Sequence, residues 1–125
     1  MPYFAYFGIL GLVLLWATAI VMFLAKQRNL VHLRRYHPLL GTMGVLSLAV
    51  HAVWVNLTHL GEARPLLGWL GLLTLAGVLL GYFPNSLAKR TGDRKWRKFH
   101  WPMELGALVI ATFHAVSLLI RILGR

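Results

Sequence analysis

Four long apolar runs, separated by short polar segments, constrain this chain more than any other feature of its sequence. The runs cover roughly residues 3–25, 38–58, 65–83 and 100–120, and Glu104 is the only charged residue inside them. A helix of about 20 residues spans the ~30 Å hydrocarbon core of a bilayer. The runs show no alternation of period two, and a membrane barrel needs more strands than this chain can supply. The sequence therefore predicts an all-α membrane protein, a four-transmembrane-helix bundle.

The composition agrees with this class and excludes several kinds of chemistry. Hydrophobic residues make up 58% of the chain and charged residues 13%, whereas about a quarter of a soluble domain is charged. The first run lacks the basic start and the small-residue cleavage site of a signal peptide, so we do not expect it to be one. The chain has no cysteine, which excludes disulfides, thiolate metal sites, a cysteine nucleophile and covalent haem attachment.

The basic residues predict the orientation in the membrane. Ten of the 13 Lys and Arg residues fall in two segments between apolar runs. They are Lys26, Arg28, Arg34 and Arg35, and then Lys89, Arg90, Arg94, Lys95, Arg97 and Lys98. Such clustering is typical of cytoplasmic loops. We therefore expect an integral protein of a bacterial inner (plasma) membrane, with both termini outside, and a lipid bilayer as the partner of the basic loops. Nucleic-acid binding is not expected, and nothing in the sequence excludes an oligomer.

The chain also repeats itself when each position i is aligned with position i+63, a pairing called the repeat alignment below. Without a gap, 14 of 62 compared positions are identical, among them polar ones. The polar matches are Lys26 with Lys89, Arg34 with Arg97, His37 with His100 and His51 with His114. This predicts one transmembrane domain, residues 1–125, made of two tandem parallel helical-hairpin repeats, 1–62 and 64–125. Parallel repeats pack about a pseudo-twofold axis along the membrane normal.

The four repeated histidines are the candidate site residues. His51 follows His37 at position i+14, and His114 follows His100 at the same spacing. On a helix this spacing puts both histidines about 40° apart around the axis and about 21 Å apart along it. The pseudo-twofold axis then predicts an inner pair, His37 with His100, and an outer pair, His51 with His114. Pro38 and Pro102 leave open whether the inner histidines cap their helices.

Two facing imidazoles in a membrane bundle favour haem over other metals. Zinc takes four ligands and non-haem iron takes a carboxylate as well, whereas a haem iron needs two axial ligands. We therefore predict two haem b groups (iron protoporphyrin IX), with the metal ligands His37, His51, His100 and His114. Arg34 and Arg97 are candidates for the propionates of the inner haem, and Arg121 for those of the outer haem, although topology also explains these charges. No catalytic residue is assigned.

Three further titratable residues keep open roles. Glu104 is either a hydrogen-bonded acid, part of a proton path or quinone site, or a solvated residue near the inner interface. His32 and His59 lie in predicted loops, and neither is paired with a histidine in the repeat alignment. Surface positions are the simplest interpretation for both.

The segments LRRYHPLLGTMGVLSLAVHAVW and KWRKFHWPMELGALVIATFHAVSL resemble the two haem-bearing helices of ferric reductase-like transmembrane domains. That group includes the dihaem cytochrome b cores of ferric reductases and NADPH oxidases, and the resemblance covers nearly the whole chain. It implies the same four ligands, His37, His51, His100 and His114. Such proteins usually have additional helices and a flavin and NADPH domain. No glycine-rich nucleotide loop after a strand occurs here, so we expect no pyridine-nucleotide chemistry from these residues.

These patterns predict transmembrane electron transfer through two stacked bis-histidine haems. A redox donor protein or quinol on the cytoplasmic side would reduce the inner haem, and an acceptor on the outer side would take the electron; the reverse direction is equally allowed. A second interpretation is a haem-binding, quinone-reactive membrane anchor subunit of a larger redox complex. A third is a non-haem helical scaffold or metal-binding membrane protein. Whether the chain is itself an enzyme, as an oxidoreductase component, stays open.

Overall fold

The computed structural model describes residues 3–58 and 65–124 and contains four α-helices. They are α1 (Tyr3–Gln27), α2 (Tyr36–Thr58), α3 (Pro65–Thr91) and α4 (Arg97–Leu123). Short 3₁₀ segments, Val31–Arg35 and Arg94–Trp96, lead into α2 and α4. No strand occurs in these described ranges. All four helices are long and apolar enough to cross a membrane, which confirms the prediction of four membrane-length helices.

Two residues with positive φ end the first and third helices. Asn29 has a φ of 52° and Gly92 a φ of 72°. Arg28 N–H donates to the carbonyl of Leu24, and Gly92 N–H to that of Ala88, so each helix closes with a final main-chain bond. Asparagine and glycine are the residues that most readily adopt this left-handed conformation, and both commonly follow the last residue of a helix.

The third helix is longer than its apolar run. The run ends at Phe83, before Pro84, but α3 continues through Pro84 to Thr91. Proline cannot donate to the carbonyl four residues earlier, here that of Leu80, and a helix interior tolerates this loss only where the surroundings compensate. The end of the apolar run therefore does not mark the end of this helix.

The described helices form two compact units, one containing α1 and α2 and the other α3 and α4. In the first hairpin, glycines let the two backbones approach closely. A Cβ added at Gly11 would lie 2.8 Å from Leu48 Cγ and 3.1 Å from the Gly44 carbonyl oxygen. A Cβ added at Gly44 would lie 3.0 Å from Leu15 Cδ2. Small residues at such crossings are typical of membrane helix pairs.

The second hairpin packs in the same manner with slightly larger residues. A Cβ added at Gly77 would lie 3.0 Å from the Cβ of Ala107, and Val78 is the largest side chain that is fully buried. The buried Thr74 hydroxyl donates to the carbonyl of Leu70, 2.9 Å away, so its burial leaves no unmet hydrogen bond.

Most large apolar side chains lie outside these small cores. Leu46 is 61% exposed, Leu57 68% and Phe113 63%. A water-soluble protein rarely exposes so much continuous apolar surface. The exposed apolar side chains therefore agree with helices that lie in a membrane.

Candidate histidine sites

All four repeated histidines lie on α2 and α4 and are half-buried. His37 is the second residue of α2 and His100 the fourth residue of α4, so both lie inside the first turn and neither caps its helix. His51 and His114 follow on the same uninterrupted helices, about 21 Å farther along the axis. The Nδ1 atoms of His37 and His114 are buried. The pairings of His37 with His100 and of His51 with His114 join different hairpins and stay predictions.

The imidazole of His51 lies against the bare backbone of Gly8 on α1. A Cβ added at Gly8 would lie 3.0 Å from both Cε1 and Nδ1 of His51 and 3.2 Å from its Cγ. The contact therefore uses the Nδ1 side of the ring. Glycine at this position gives the ring the room that a side chain would fill.

His114 has the corresponding neighbour on α3, although its contact is looser. A Cβ added at Gly71 would lie 4.0 Å from both Cε1 and Nε2 of His114. The Nε2 side of the His114 ring thus faces its glycine, whereas His51 faces its glycine with the Nδ1 side. The residue types of the two contacts are the same, but the ring orientations are not.

His100 is held by the backbone of α3. Its Nδ1 lies 2.7 Å from the carbonyl oxygen of Gly81. A carbonyl only accepts hydrogen bonds, so Nδ1 carries the proton and donates it; in the neutral form of the ring the lone pair is then on Nε2. Histidines that ligate metals usually donate their other ring N–H to a carbonyl or a carboxylate in this way.

Glu104 packs against the same glycine. A Cβ added at Gly81 would lie 2.8 Å from Glu104 Oε1 and 3.0 Å from its Cδ and Cγ. The same Oε1 lies 3.9 Å from His100 Nδ1, one helical turn away. Glu104 thus belongs to a cluster with His100 and the Gly81 carbonyl, and it is about one quarter exposed.

In the first hairpin, the larger and the smaller side chain of the equivalent contact have changed places between the two helices. The repeat alignment pairs Thr18 with Gly81, and Gly41 with Glu104. A Cβ added at Gly41 would lie 3.6 Å from Thr18 Cγ2. A small residue on α3 therefore accommodates a large one on α4, whereas on α1 and α2 the larger residue is on α1. Sequence reasoning missed this exchange, although the repeat alignment contains it.

The predicted propionate partners all lie at the surface. Arg34 is exposed in the first 3₁₀ segment, Arg97 is the exposed first residue of α4, and Arg121 is exposed in its last turn. His32 is also exposed, as expected for a loop residue. His59 lies outside the described residues, so its role stays a prediction.

In the described structure the candidate ligands are single imidazoles and do not form a preformed metal-ligand cluster. Within residues 3–58 and 65–124 no group of three or more His, Cys, Asp or Glu side chains lies close enough to hold a metal ion. Structural zinc and non-haem iron sites need such a group. Single imidazoles, well separated along two helices, are what a haem iron takes from each side.

Comparisons of this chain with protein-family models, with curated proteins and with solved structures give no match.

Proposed function

We propose that this chain is a minimal dihaem cytochrome b that transfers electrons across a membrane. His37 and His100 would hold one haem, and His51 and His114 the other. The observation that carries the proposal is a pair of half-buried histidines that recurs at the same spacing on two membrane-length helices. A polar side chain in a membrane span is costly and is usually kept for a function.

Structural equivalences under the repeat alignment support the tandem repeat on which the proposal depends. Five positions are buried among the described residues of the first hairpin: 11, 15, 18, 25 and 44. The aligned positions 74, 78, 81, 88 and 107 are buried in the second hairpin. Asn29 and Gly92, the two residues with positive φ, are also paired by the alignment. Most of these aligned positions hold different residue types, so the agreement in burial and in backbone conformation is not a simple result of sequence identity.

The glycine contacts support the same interpretation. Gly8 and His51 on one hairpin correspond to Gly71 and His114 on the other under the repeat alignment. Each of these two histidines therefore lies near the aligned glycine of the preceding helix, although the ring orientations differ. The Nδ1–H of His100 donates to the Gly81 carbonyl, so a neutral His100 would bind a haem iron through Nε2.

A haem iron with two imidazole ligands exchanges single electrons and has no open position for oxygen or substrate. The residues of this chain would bind and orient the haem rather than carry out bond chemistry. The helices would exclude water from the two haem sites. The basic segments that contain Arg34 and Arg97 would lie on the cytoplasmic face of a plasma membrane and accept the propionates of the inner haem, with Arg121 at the outer one.

The decisive experiment is a reduced-minus-oxidised absorption spectrum of the purified protein, with haem quantitation as the pyridine haemochrome. We expect Soret and α bands and two haem b per chain. Absence of both bands would support a non-haem scaffold. A change of the haem spectrum on titration with quinol would support the quinone-reactive anchor, for which Glu104 beside His100 is the relevant observation.

A further inference from the structure

The second hairpin carries an apolar groove at the end where α3 and α4 are joined. On α3 the groove is lined by Leu80, Phe83, Pro84 and Leu87. On the other side it is lined by Trp96, Phe99 and Met103. Its volume is about 300 Å³. On α3 the lining residues stand at positions i, i+3, i+4 and i+7, and on α4 Met103 follows Phe99 at i+4, so each helix gives one continuous face to the groove.

The groove walls remain largely exposed within the described structure. Phe83 is 61% exposed, Phe99 57% and Leu80 52%. The rings of Trp96 and Phe99 lie 6.3 Å apart at 50°, a tilted pair that forms one wall. Such aromatic residues are typical of the level of a bilayer where hydrocarbon meets headgroups.

A dense positive charge borders the same end of the groove. Residues 89–98 contain six Lys or Arg side chains, all exposed, and a single acid, Asp93. Arg90 lies one turn beyond Leu87 on the groove-lining face of α3. Lys95 directly precedes Trp96. The lining of the groove is therefore apolar, and a strongly basic segment adjoins one end of it.

The backbone fixes the loop that carries these charges. The Oδ1 of Asp93 accepts the Lys95 N–H at 2.9 Å, and the Asp93 N–H donates to the hydroxyl of Thr91 at 3.3 Å. Gly92 makes the turn with its φ of 72°. One oxygen of the only acid in the segment is thus used by the backbone, and these bonds fix the turn between α3 and the segment that contains Trp96.

We propose that this groove is a binding site for an anionic phospholipid. One acyl chain lies along Phe83, Leu87 and Phe99, and the negatively charged headgroup lies between Arg90 and Lys95. A molecule with a long apolar chain and one anionic end matches both features at once. A bilayer supplies that molecule at high concentration next to membrane helices. The site does not depend on haem, so the lipid proposal is independent of the proposed electron transfer.

The first hairpin provides an internal control for general surface charge. Its corresponding segment has Gln27 where the second has Arg90 and His32 where it has Lys95. One of its arginines, Arg35, donates to the Tyr36 hydroxyl at 2.7 Å and lies over that ring. Neither Lys26 nor Arg28 is among the residues that line the groove, so these two positions serve to remove two charges from the first hairpin as a control.

Quenching of Trp96 fluorescence by brominated lipid tests the proposal. The full chain is reconstituted in phosphatidylcholine vesicles that carry, at one mole fraction, brominated phosphatidylglycerol or brominated phosphatidylcholine. The difference in fluorescence between the unchanged protein and its Trp96→Phe variant gives the signal of Trp96. We expect brominated phosphatidylglycerol to quench this signal several-fold more effectively than brominated phosphatidylcholine.

Two matched double variants decide whether the charges of the groove are responsible. Arg90→Gln with Lys95→Gln should lower the apparent affinity for phosphatidylglycerol by roughly tenfold or more, since both charges that would attract the anionic headgroup are removed. Lys26→Gln with Arg28→Gln should leave it unchanged. Equal quenching by both lipids, or equal loss in both double variants, would overturn the proposal. Displacement of either brominated lipid by a neutral quinone, irrespective of headgroup, would overturn it in favour of a quinone site.

Discussion

The Nδ1 atom of His100 donates a hydrogen bond to the backbone carbonyl of Gly81, 2.7 Å away. The bond joins residues 19 positions apart and ties the first turn of α4 to the middle of α3. It fixes both the tautomer and the direction of the ring, because the carbonyl leaves no other role for Nδ1. Any ligand that His100 takes would therefore be met by Nε2.

Gly81→Ala should disturb this arrangement. The new Cβ would lie 2.8 Å from Glu104 Oε1, so the carboxylate must move or α3 and α4 must separate. We expect a loss of about 1–3 kcal/mol in the free energy of unfolding, as for other overpacked sites. Denaturation with SDS in mixed micelles measures it. If the protein binds haem, the electron paramagnetic resonance signal of the haem at His100 should also shift.

Gly106→Ala is the matched control on the same pair of helices. No atom lies within 4 Å of a Cβ added there, so the change adds helix propensity without a clash. We expect it to be neutral or to stabilise by up to about 1 kcal/mol. Equal destabilisation by both substitutions would show that the Glu104 contact is not the cause.

A second substitution should rescue the first. In Gly81→Ala with Glu104→Ala, the side chain that meets the new Cβ is gone. Residues in direct contact show coupling energies of about 0.5–3 kcal/mol in double-mutant cycles. We expect the double variant to be more stable than the sum of the single changes, by SDS denaturation. Simple additivity would mean that Glu104 does not pack on Gly81.

The sequence predicted the helices well because four apolar runs of membrane length leave few alternatives. It did not predict that α3 continues past Pro84, since proline ends helices in water more reliably than in packed surroundings. It left open whether His100 lies within α4 or caps it, and it did not predict the contact of His100 with Gly81. That contact depends on the rotation of α3 relative to α4, which small residues such as Gly77 and Ala107 determine through close packing.

The two histidine–glycine contacts should respond differently to alanine. At Gly8 the added Cβ would lie 3.0 Å from the ring of His51, which must shift by a few tenths of an ångström. At Gly71 it would lie 4.0 Å from the ring of His114, an ordinary contact. We expect Gly8→Ala to cost about 1 kcal/mol and Gly71→Ala to be neutral or slightly stabilising, in SDS denaturation. The reverse order would contradict the packing at these two positions.

The turn after α3 depends on the conformation of a single glycine. Gly92 has a φ of 72°, and nothing lies within 4 Å of an added Cβ, so only the backbone opposes a side chain there. We expect Gly92→Ala to cost about 1–2 kcal/mol, the penalty for an L-residue in this region. Asn29→Gly, at the equivalent turn after α1, should cost little or nothing. Thermal unfolding followed by circular dichroism measures both changes, and an unaffected Gly92→Ala would show that the turn adopts another conformation.

The histidine variants test the proposed ligand pairs. His51→Ala and His114→Ala should each remove one and the same haem, because either change leaves a single imidazole for an iron that needs two. His37→Ala and His100→Ala should each remove the other. His32→Ala, on an exposed residue of the first 3₁₀ segment, is the control and should keep both. Haem per chain, measured as the pyridine haemochrome, should fall from two to one in the four ligand variants. Redox titration would show which of two midpoint potentials disappears. A His51 variant and a His114 variant that lost different haems would rule out the pairing of His51 with His114.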